Sequence, residues 1–359
     1  MKTFSLAVLL FVFSKSYAQY GAEWWPTRNY ILKFNKIGFQ GVLQLPENFD
    51  IALGGFCICD RNEELILFGS MRKIYDAEMN CLLNNKYRFG SGILVQDILD
   101  MNIFHYFYSF YESKDTKLYH IIFDISNKDN YVLSKSEISV KKRISNIWAI
   151  PDYKNKRIFV LSFFYETSEA EIYEIKGDKM ILRGVCDAGI TISLTEYNHL
   201  CRDSYENYYY LREKQVFKFN FDFENINLIN CGLVCSNVYD FAVSESGKYL
   251  IIFNGSTVLR YDVSKKDNSP EVVKEFAYDY EYNLLTMKLA ADGNIYLIRD
   301  NGKIDCIKNP ENNKIVYMEK ILEIPPSKYS NMKCYCPNQL FHDMAIYCKM
   351  KTPSIKVCD

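Results

Sequence analysis

The sequence is poor in the residues that most often build catalytic and metal sites. Its 359 residues include only four histidines, too few for a His-rich metal site or for several proton relays. Lys and Arg number 43 against 44 Asp and Glu, so no basic excess indicates nucleic acid as a partner. Hydrophobic residues make up 48% and charged residues 24%, and this ordinary globular composition excludes wholesale disorder.

Motifs that mark whole enzyme classes are also missing. The sequence has no G-x-S-x-G nucleophile elbow. It also has no H-E-x-x-H, no G-x-G-x-x-G, no P-loop and no EF-hand loop. These absences argue against α/β-hydrolases, zinc proteases and nucleotide-binding enzymes, and we expect no cofactor and no metal. They leave open an enzyme whose site is assembled from distant parts of the chain.

Residues 1–18 predict a signal peptide. Lys2 precedes the apolar stretch Ser5–Phe13, and small residues lead up to Ala18. The apolar stretch is about nine residues long, well short of the roughly 20 that span a membrane. We predict cleavage after Ala18 and a secreted, extracellular protein whose residues 19–359 form one domain without a membrane span. Loss of both lysines of the leader leaves 41 positive against 44 negative residues, a net charge of −3.

Twelve cysteines follow the predicted leader. An even number in a secreted chain predicts up to six disulfides. Two C-x-C pairs lack the C-x-x-C spacing of structural zinc sites, and we favour disulfides over zinc. The cysteines are Cys57, Cys59, Cys81, Cys186, Cys201, Cys231, Cys235, Cys306, Cys334, Cys336, Cys348 and Cys358.

The distribution of the cysteines suggests how the chain is tied together. Three lie before residue 82 and five after residue 305, so bonds between these groups would join the two ends of the chain. Within a strand, residues i and i+2 face the same side, so each C-x-C pair is expected to bond to neighbouring strands. Cys231 and Cys235 could bridge locally, because Gly232 between them lets the backbone bend.

Strand-forming residues dominate the remainder, with 29 Tyr and 24 Phe. A unit of apolar strand, polar turn, apolar strand, second turn and alternating strand recurs, most clearly at 239–263 and 285–307. Both copies carry an Asn-Gly turn, the strongest short signal for a hairpin. The inner turns of seven units fall about 46 residues apart, a period typical of β-propellers. They lie near Asn62, Lys114, Asn155, Glu206, Ser246, Gly293 and Asn338.

We therefore predict an all-β fold: one disulfide-stabilised β-propeller of about seven blades, with six to eight open. The last unit has room for only about two strands. An N-terminal strand from Tyr30–Phe34 or Gly41–Leu45 could complete that blade and close the ring, which would remove an exposed sheet edge.

The segment 240–253 (DFAVSESGKYLIIF) resembles the inner hairpin of a WD-repeat or YVTN-type propeller blade. The resemblance extends over 56–349 in layout only, since the Trp-Asp, Gly-His and Tyr-Trp-Thr-Asp signatures of such blades are absent. It implies radial blades around a central channel. Composition, leader and even cysteine count are also similar to those of secreted proteins of AT-rich eukaryotic parasites.

Few residues stand out as functional candidates. His199 is the candidate base or ligand of the four histidines, because it lies on a predicted inner strand beside the channel. A purely structural role is the more common one for such a histidine. The other histidines are His105, His120 and His342. Trp24 and Trp25 must pack against the body or meet a partner, and they are the candidate binding residues. Asn254 begins the only N-x-S/T sequon and is the candidate glycosylation site. These residues are His199, Trp24, Trp25 and Asn254.

Loops on the two faces of a propeller carry binding in such scaffolds. We expect an interaction or adhesion module for a protein or glycan on a cell surface or matrix, as a monomer or in a surface complex. One alternative is a secreted propeller enzyme, such as a hydrolase, lactonase or cyclase, with its site in the central channel. Another is a carrier that holds a small ligand in that channel.

Overall fold

Every element of regular structure in the described part of the chain is a β-strand, as the sequence predicts. The strands form six four-stranded sheets and one three-stranded sheet, and all neighbouring strands are antiparallel. The computed structural model describes residues 22–26, 30–35, 38–44, 56–59, 64–69, 73–84, 90–110, 116–140, 142–191, 199–202, 207–265, 269–276, 284–290, 292–299 and 303–323.

The first four sheets follow one another along the chain. Sheet A contains β1 (Ala22–Pro26), β2 (Tyr30–Asn35) and β3 (Gly38–Gln44). Sheet B contains β4 (Phe56–Cys59), β5 (Leu65–Gly69), β6 (Lys73–Asp76) and β7 (Cys81–Asn84). Sheet C contains β8 (Gly90–Gln96), β9 (Ile103–Phe110), β10 (Thr116–Asp124) and β11 (Val132–Val140). Sheet D contains β12 (Ile144–Asp152), β13 (Arg157–Phe164), β14 (Glu169–Lys176) and β15 (Lys179–Asp187).

Three more sheets complete the described chain, and each again pairs its strands in chain order. Sheet E contains β16 (His199–Arg202), β17 (Tyr208–Arg212), β18 (Gln215–Asp222) and β19 (Asn227–Ser236). Sheet F contains β20 (Asp240–Val243), β21 (Tyr249–Phe253), β22 (Thr257–Asp262) and β23 (Glu271–Glu275). Sheet G contains β24 (Leu284–Leu289), β25 (Ile295–Arg299), β26 (Lys303–Lys308) and β27 (Val316–Glu323).

Burial falls from the first strand of a sheet to the fourth. All nine residues of β12 and all four of β20 are buried, as expected for strands covered on both faces. By contrast, β11 (VLSKSEISV) alternates between half-buried and exposed residues over most of its length. The alternation follows from the period of two, which turns every second side chain of an outer strand to solvent.

Successive sheets meet through their first strands. Strand β1 adjoins β4, β8 adjoins β12, and β20 adjoins both β16 and β24. One apolar cluster contains Ile58 of sheet B, Tyr106 of sheet C and Tyr296 of sheet G, with Leu43 of sheet A packed against it. Residues from both ends of the described chain therefore share one core. This arrangement of four-stranded antiparallel sheets is consistent with a β-propeller.

The N-terminal strands β1, β2 and β3 pair with one another in sheet A. The last unit, which a strand from Tyr30–Phe34 or Gly41–Leu45 was predicted to complete, lies outside the described residues, so closure by an N-terminal strand remains a prediction. The marker at Lys114 does not lie in an inner turn. It falls between β9 and β10, the second and third strands of sheet C, because this hairpin is longer than its counterparts. The marker Asn338 lies outside the described residues.

Each fourth strand of a four-stranded sheet is irregular. A register shift interrupts the pairing of the third with the fourth strand in all six sheets, and two interrupt that between β18 and β19. Bulges of this kind twist an edge strand and make it a poor template for pairing with another chain. The turn between the third and fourth strands is called the third turn below.

The predicted disulfides are not confirmed. Among the described residues Cys81, Cys186, Cys231, Cys235 and Cys306 form no disulfide bond. Cys231 and Cys235 both lie in β19, where Cys231 is exposed and Cys235 is buried, so a local bridge between them is disfavoured. Cys334, Cys336, Cys348 and Cys358, and the side chain of Cys59, lie outside the described part, so bonds between the two ends remain a prediction.

Candidate functional site

A cleft of about 350 Å³ lies between sheets B and C. We call it the B–C groove. Its floor is apolar and is made by Ile74 and Leu83 of sheet B and by Ile121, Phe123 and Val132 of sheet C. Ile74, Ile121 and Phe123 are buried, whereas Leu83 and Val132 are half-buried and in reach of a ligand. The volume lies at the lower end of the range of small-molecule sites.

Polar side chains line the rim of the groove. Asp76 comes from the end of β6, Lys135 from β11, and Lys128, Asn130 and Tyr131 from the third turn of sheet C. Lys128, Asn130 and Lys135 are exposed, and Asp76 and Tyr131 are half-buried. An apolar floor with a few convergent polar groups is the usual composition of a ligand site.

Local hydrogen bonds hold the two walls in place. In the third turn of sheet C, Asp124 Oδ1 accepts from the amide (2.9 Å) and hydroxyl (2.6 Å) of Ser126. On the opposite wall, Asp76 Oδ1 accepts from the Asn80 amide at 2.8 Å and Oδ2 from Asn80 Nδ2 at 2.9 Å. Such side-chain-to-backbone bonds are the reason Asp, Asn and Ser favour turns. Both walls are therefore shaped before any ligand arrives.

The charges around the groove are unevenly satisfied. Burial, and the nearby carboxylates of Asp76 and Glu78, raise the pKa of Tyr131, so its hydroxyl stays protonated and can donate. Lys135 lies 6.0 Å from the Tyr119 ring centroid. Within the described residues neither Lys128 nor Lys135 forms an ion pair. The groove thus offers donors that have no anionic partner.

Other sheet junctions are closed at the equivalent position. Ser136 of sheet C donates to the Asp178 carbonyl in the third turn of sheet D at 3.0 Å. Arg157 of sheet D donates to the Phe223 carbonyl in the third turn of sheet E at 3.2 Å. In contrast, no hydrogen bond between described residues joins the third turn of sheet C to sheet B. The groove occupies the place of that missing contact.

Two histidines form a second constellation, inside sheet C. His105 of β9 donates or accepts through Nδ1 to His120 Nε2 of β10 at 2.9 Å, and His105 Nε2 contacts Asp97 Oδ2 at 2.9 Å. The rings stack with a centroid distance of 5.1 Å, and Phe107 stacks on His120 at 4.4 Å. A carboxylate that orients an imidazole is a common device of general bases.

The burial of this constellation excludes direct contact with a substrate. His105 and His120 are 2% and 0% exposed. Burial, and then the neighbouring His105, lower the pKa of His120 to about 3, although the Asp178 carbonyl favours its charged form. The pKa of Asp97 is also lowered, since its hydrogen bonds to His105 and to the backbone outweigh its partial burial. The two histidines therefore lie inside the fold, with His120 near the third turn of sheet D.

The sequence-predicted site residues do not meet at either place. His199 begins β16 opposite Leu211, and Trp24 and Trp25 lie in β1 opposite Lys33 and Leu32, but the side chains of these three candidates lie outside the described part. His342 is outside it altogether. In the described part no group of three or more His, Cys, Asp and Glu could hold a metal ion.

The Asn-Gly turn predicted from the sequence agrees with the structure, and a run of three tyrosines is part of the core. Asn254 lies in the predicted turn between β21 and β22, where Gly255 has φ +101° and Asn254 Oδ1 accepts from the Thr257 amide at 2.8 Å. The tyrosine run Tyr208, Tyr209 and Tyr210 is a strand and is fully buried. These rings form core contacts and offer no aromatic binding face.

Comparison with known proteins supports the fold alone. No protein-family model matches the sequence, and no curated protein matches it. A candidate 6-phosphogluconolactonase from Bacteroides uniformis has a similar solved structure, with 12% identity, a TM-score of 0.50, and coverage of 86% of this chain and 93% of its own. A protein from Lactobacillus plantarum is similar at 12% identity and a TM-score of 0.49, with the same coverage. The candidate 6-phosphogluconolactonase has a β-propeller-like fold, which agrees with the predicted class. None of the described residues lies in a helix long and apolar enough to cross a membrane.

Proposed function

We propose that the chain is a secreted, seven-bladed β-propeller that binds a small ligand without converting it. The observation that carries the proposal is the B–C groove, an open apolar cleft at a junction whose counterparts between sheets C and D and between sheets D and E are closed by a hydrogen bond. The two histidines of the array, His105 and His120, are buried and out of reach of a substrate, and its half-buried carboxylate, Asp97, is bonded to His105 and has a lowered pKa. Ligand binding therefore fits the described residues better than catalysis does.

The finer features of the fold belong to the same proposal. Seven sheets along the chain favour seven blades, with sheet A as the blade that closes the ring. The shared core of sheets A, B and G supports this closure. The leader at 1–18 supports secretion. The groove favours a small ligand over the protein or glycan partner of an adhesion module, because it is a compact cleft between two sheets.

A groove-filling substitution tests the proposal. Leu83→Trp places an indole over the apolar floor, and Leu182→Trp on β15 is the matched control at an exposed outer-strand site. The secreted protein and both variants are screened against a metabolite library by thermal shift. Mass spectrometry then checks each stabilising compound for chemical change after long incubation.

We expect at least one compound to raise the melting temperature of the natural protein and of Leu182→Trp but not of Leu83→Trp. It should be recovered unchanged. The proposal fails if no compound distinguishes Leu83→Trp from the control, or if the compounds that bind in the groove are converted to products.

A propeller enzyme is the second candidate. It is favoured by the structural likeness to the candidate 6-phosphogluconolactonase of Bacteroides uniformis. Hydrolysis of a sugar lactone by the secreted protein, abolished by His199→Ala, would establish it in place of the binding function. We expect no hydrolysis above the spontaneous rate, and no change on His199→Ala.

A further inference from the structure

We propose that the ligand of the B–C groove is a small amphipathic carboxylate, such as a medium-chain aliphatic acid. The inference rests on the proposed binding function and names the class of ligand. Its aliphatic tail would lie on the floor around Leu83 and Val132. Its carboxylate would face Lys135 and Tyr131 at the rim.

The floor determines the apolar part of the ligand. Ile74, Ile121 and Phe123 lie under the cleft and are 0%, 1% and 0% exposed. Leu83 and Val132, on opposite walls, remain half-buried and complete an aliphatic lining. A tail covering these two side chains removes apolar surface of both partners from water, which is the main driving force of such binding.

The polar residues at the rim of the groove indicate the charge of the ligand's polar group. Asp76 already accepts two hydrogen bonds from Asn80, one on each oxygen, and Asp129 is exposed at the mouth. Lys135 is exposed at the rim and forms no ion pair in the described part, although Asp76 and Asp129 line the same cleft. A carboxylate would supply the partner that this lysine lacks, through a charge-assisted hydrogen bond.

The size of the cleft decides between a small molecule and a protein. About 350 Å³ suits a small ligand. A stable protein interface buries about 800 Å² on each partner, which a cleft of this size does not provide. A partner polypeptide could also place an aliphatic C-terminal residue and its free carboxylate in the groove. Because its chemistry matches that of the fatty acid, the experiment includes a peptide of this kind.

Calorimetric titration with decanoate and with decanol tests the head group. The two probes have the same tail and differ only in the carboxylate. We expect decanoate to bind about two- to fivefold more tightly than decanol, because an ion pair with an exposed lysine contributes about that factor. Lys135→Gln should lower the affinity for decanoate to that for decanol and leave decanol unaffected. Lys154→Gln, at an exposed lysine of the β12–β13 turn, should change neither.

Several results would overturn the inference. Equal affinities for the two probes, or no effect of Lys135→Gln, would show that the groove does not recognise a carboxylate. Tighter binding of a short leucine-terminated peptide, lost on amidation of its C-terminus, would replace the fatty acid with a protein partner. If decanoate fails while another compound is excluded by Leu83→Trp, only the ligand class is wrong. If Leu83→Trp excludes nothing, the proposed function itself fails. Unchanged circular dichroism of each variant guards against misfolding.

Discussion

The junction between sheets B and C differs from those between C and D, D and E, and F and G. In the last three, a side chain of one sheet donates to a carbonyl in the third turn of the next sheet. At the B–C junction the third turn of sheet C bonds only to residues of its own sheet in the described part, and a cleft lies where a contact with sheet B would be. The same local architecture therefore yields a stabilising contact at one junction and a ligand site at another.

Turn length does not explain the difference. The third turn of sheet D has two residues, Gly177 and Asp178, and that of sheet G has seven, 309–315, yet both are bonded to the preceding sheet. The third turn of sheet C, 125–131, also has seven. What differs is the side chain that the preceding sheet offers. Arg260 and Ser136 reach the next turn, whereas Asp76 of sheet B turns back to Asn80.

Truncation of an apolar side chain should lower the free energy of unfolding much more at a closed junction than at the open B–C junction, and we expect this contrast to be the largest. Trp148 is fully buried between sheets D and E, with Phe163, Tyr210 and Phe219 at centroid distances of 4.5, 5.6 and 5.5 Å. Trp148→Ala should lower the free energy of unfolding by about 3–5 kcal/mol. Leu83→Ala in the groove should cost about 1 kcal/mol, because that side chain is only half-buried. Urea denaturation measures both, and similar losses would contradict the contrast.

An intermediate effect is expected from the polar contacts. Arg260 Nη1 donates to the Asn312 carbonyl at 2.6 Å and to the Pro310 carbonyl at 3.1 Å in the third turn of sheet G. Arg260→Met keeps the aliphatic stem but removes these bonds, and should cost about 1.5–3 kcal/mol. Lys128→Met at the groove rim should change stability by less than about 0.5 kcal/mol. A loss at Lys128 as large as that at Arg260 would show that the B–C junction is closed in solution.

The sequence predicted the closed regions better than the open one. Asn155, Ser246 and Gly293 all mark turns between a first and a second strand, because turn chemistry acts over a few residues. The contact of His105 with His120 was within reach. The β9–β10 hairpin pairs His105 with Ile122 and Phe107 with His120, so an explicit register would have placed both histidines on one face. The groove depends on the spacing between sheets B and C, and no local sequence pattern encodes the spacing between two sheets.

The last contrast concerns the pH dependence of the closed C–D junction. The pKa of His120 is about 3 in the folded chain against 6.5 when unfolded, mainly through burial. Between these values the unfolded chain binds a proton that the folded chain does not. The contribution of His120 to stability is therefore fully present above pH 6.5 and is lost as the pH falls toward 3, by up to about 1.4 kcal/mol per unit. The lowered pKa of Asp97 acts in the same direction at still lower pH.

Replacement of this histidine by a ring that cannot titrate isolates its contribution. His120→Phe retains a ring to stack on Phe107, so the free energy of unfolding should fall less steeply between pH 6.5 and 4.5 than in the natural protein. Lys154→Gln should keep the natural slope. Urea denaturation at several pH values measures the difference, and parallel curves for His120→Phe and the natural protein would show that the junction does not depend on a neutral His120. Decanoate binding should be insensitive to His120→Phe, because His120 lies on the face of sheet C that meets sheet D, while Ile121 and Phe123 face the groove.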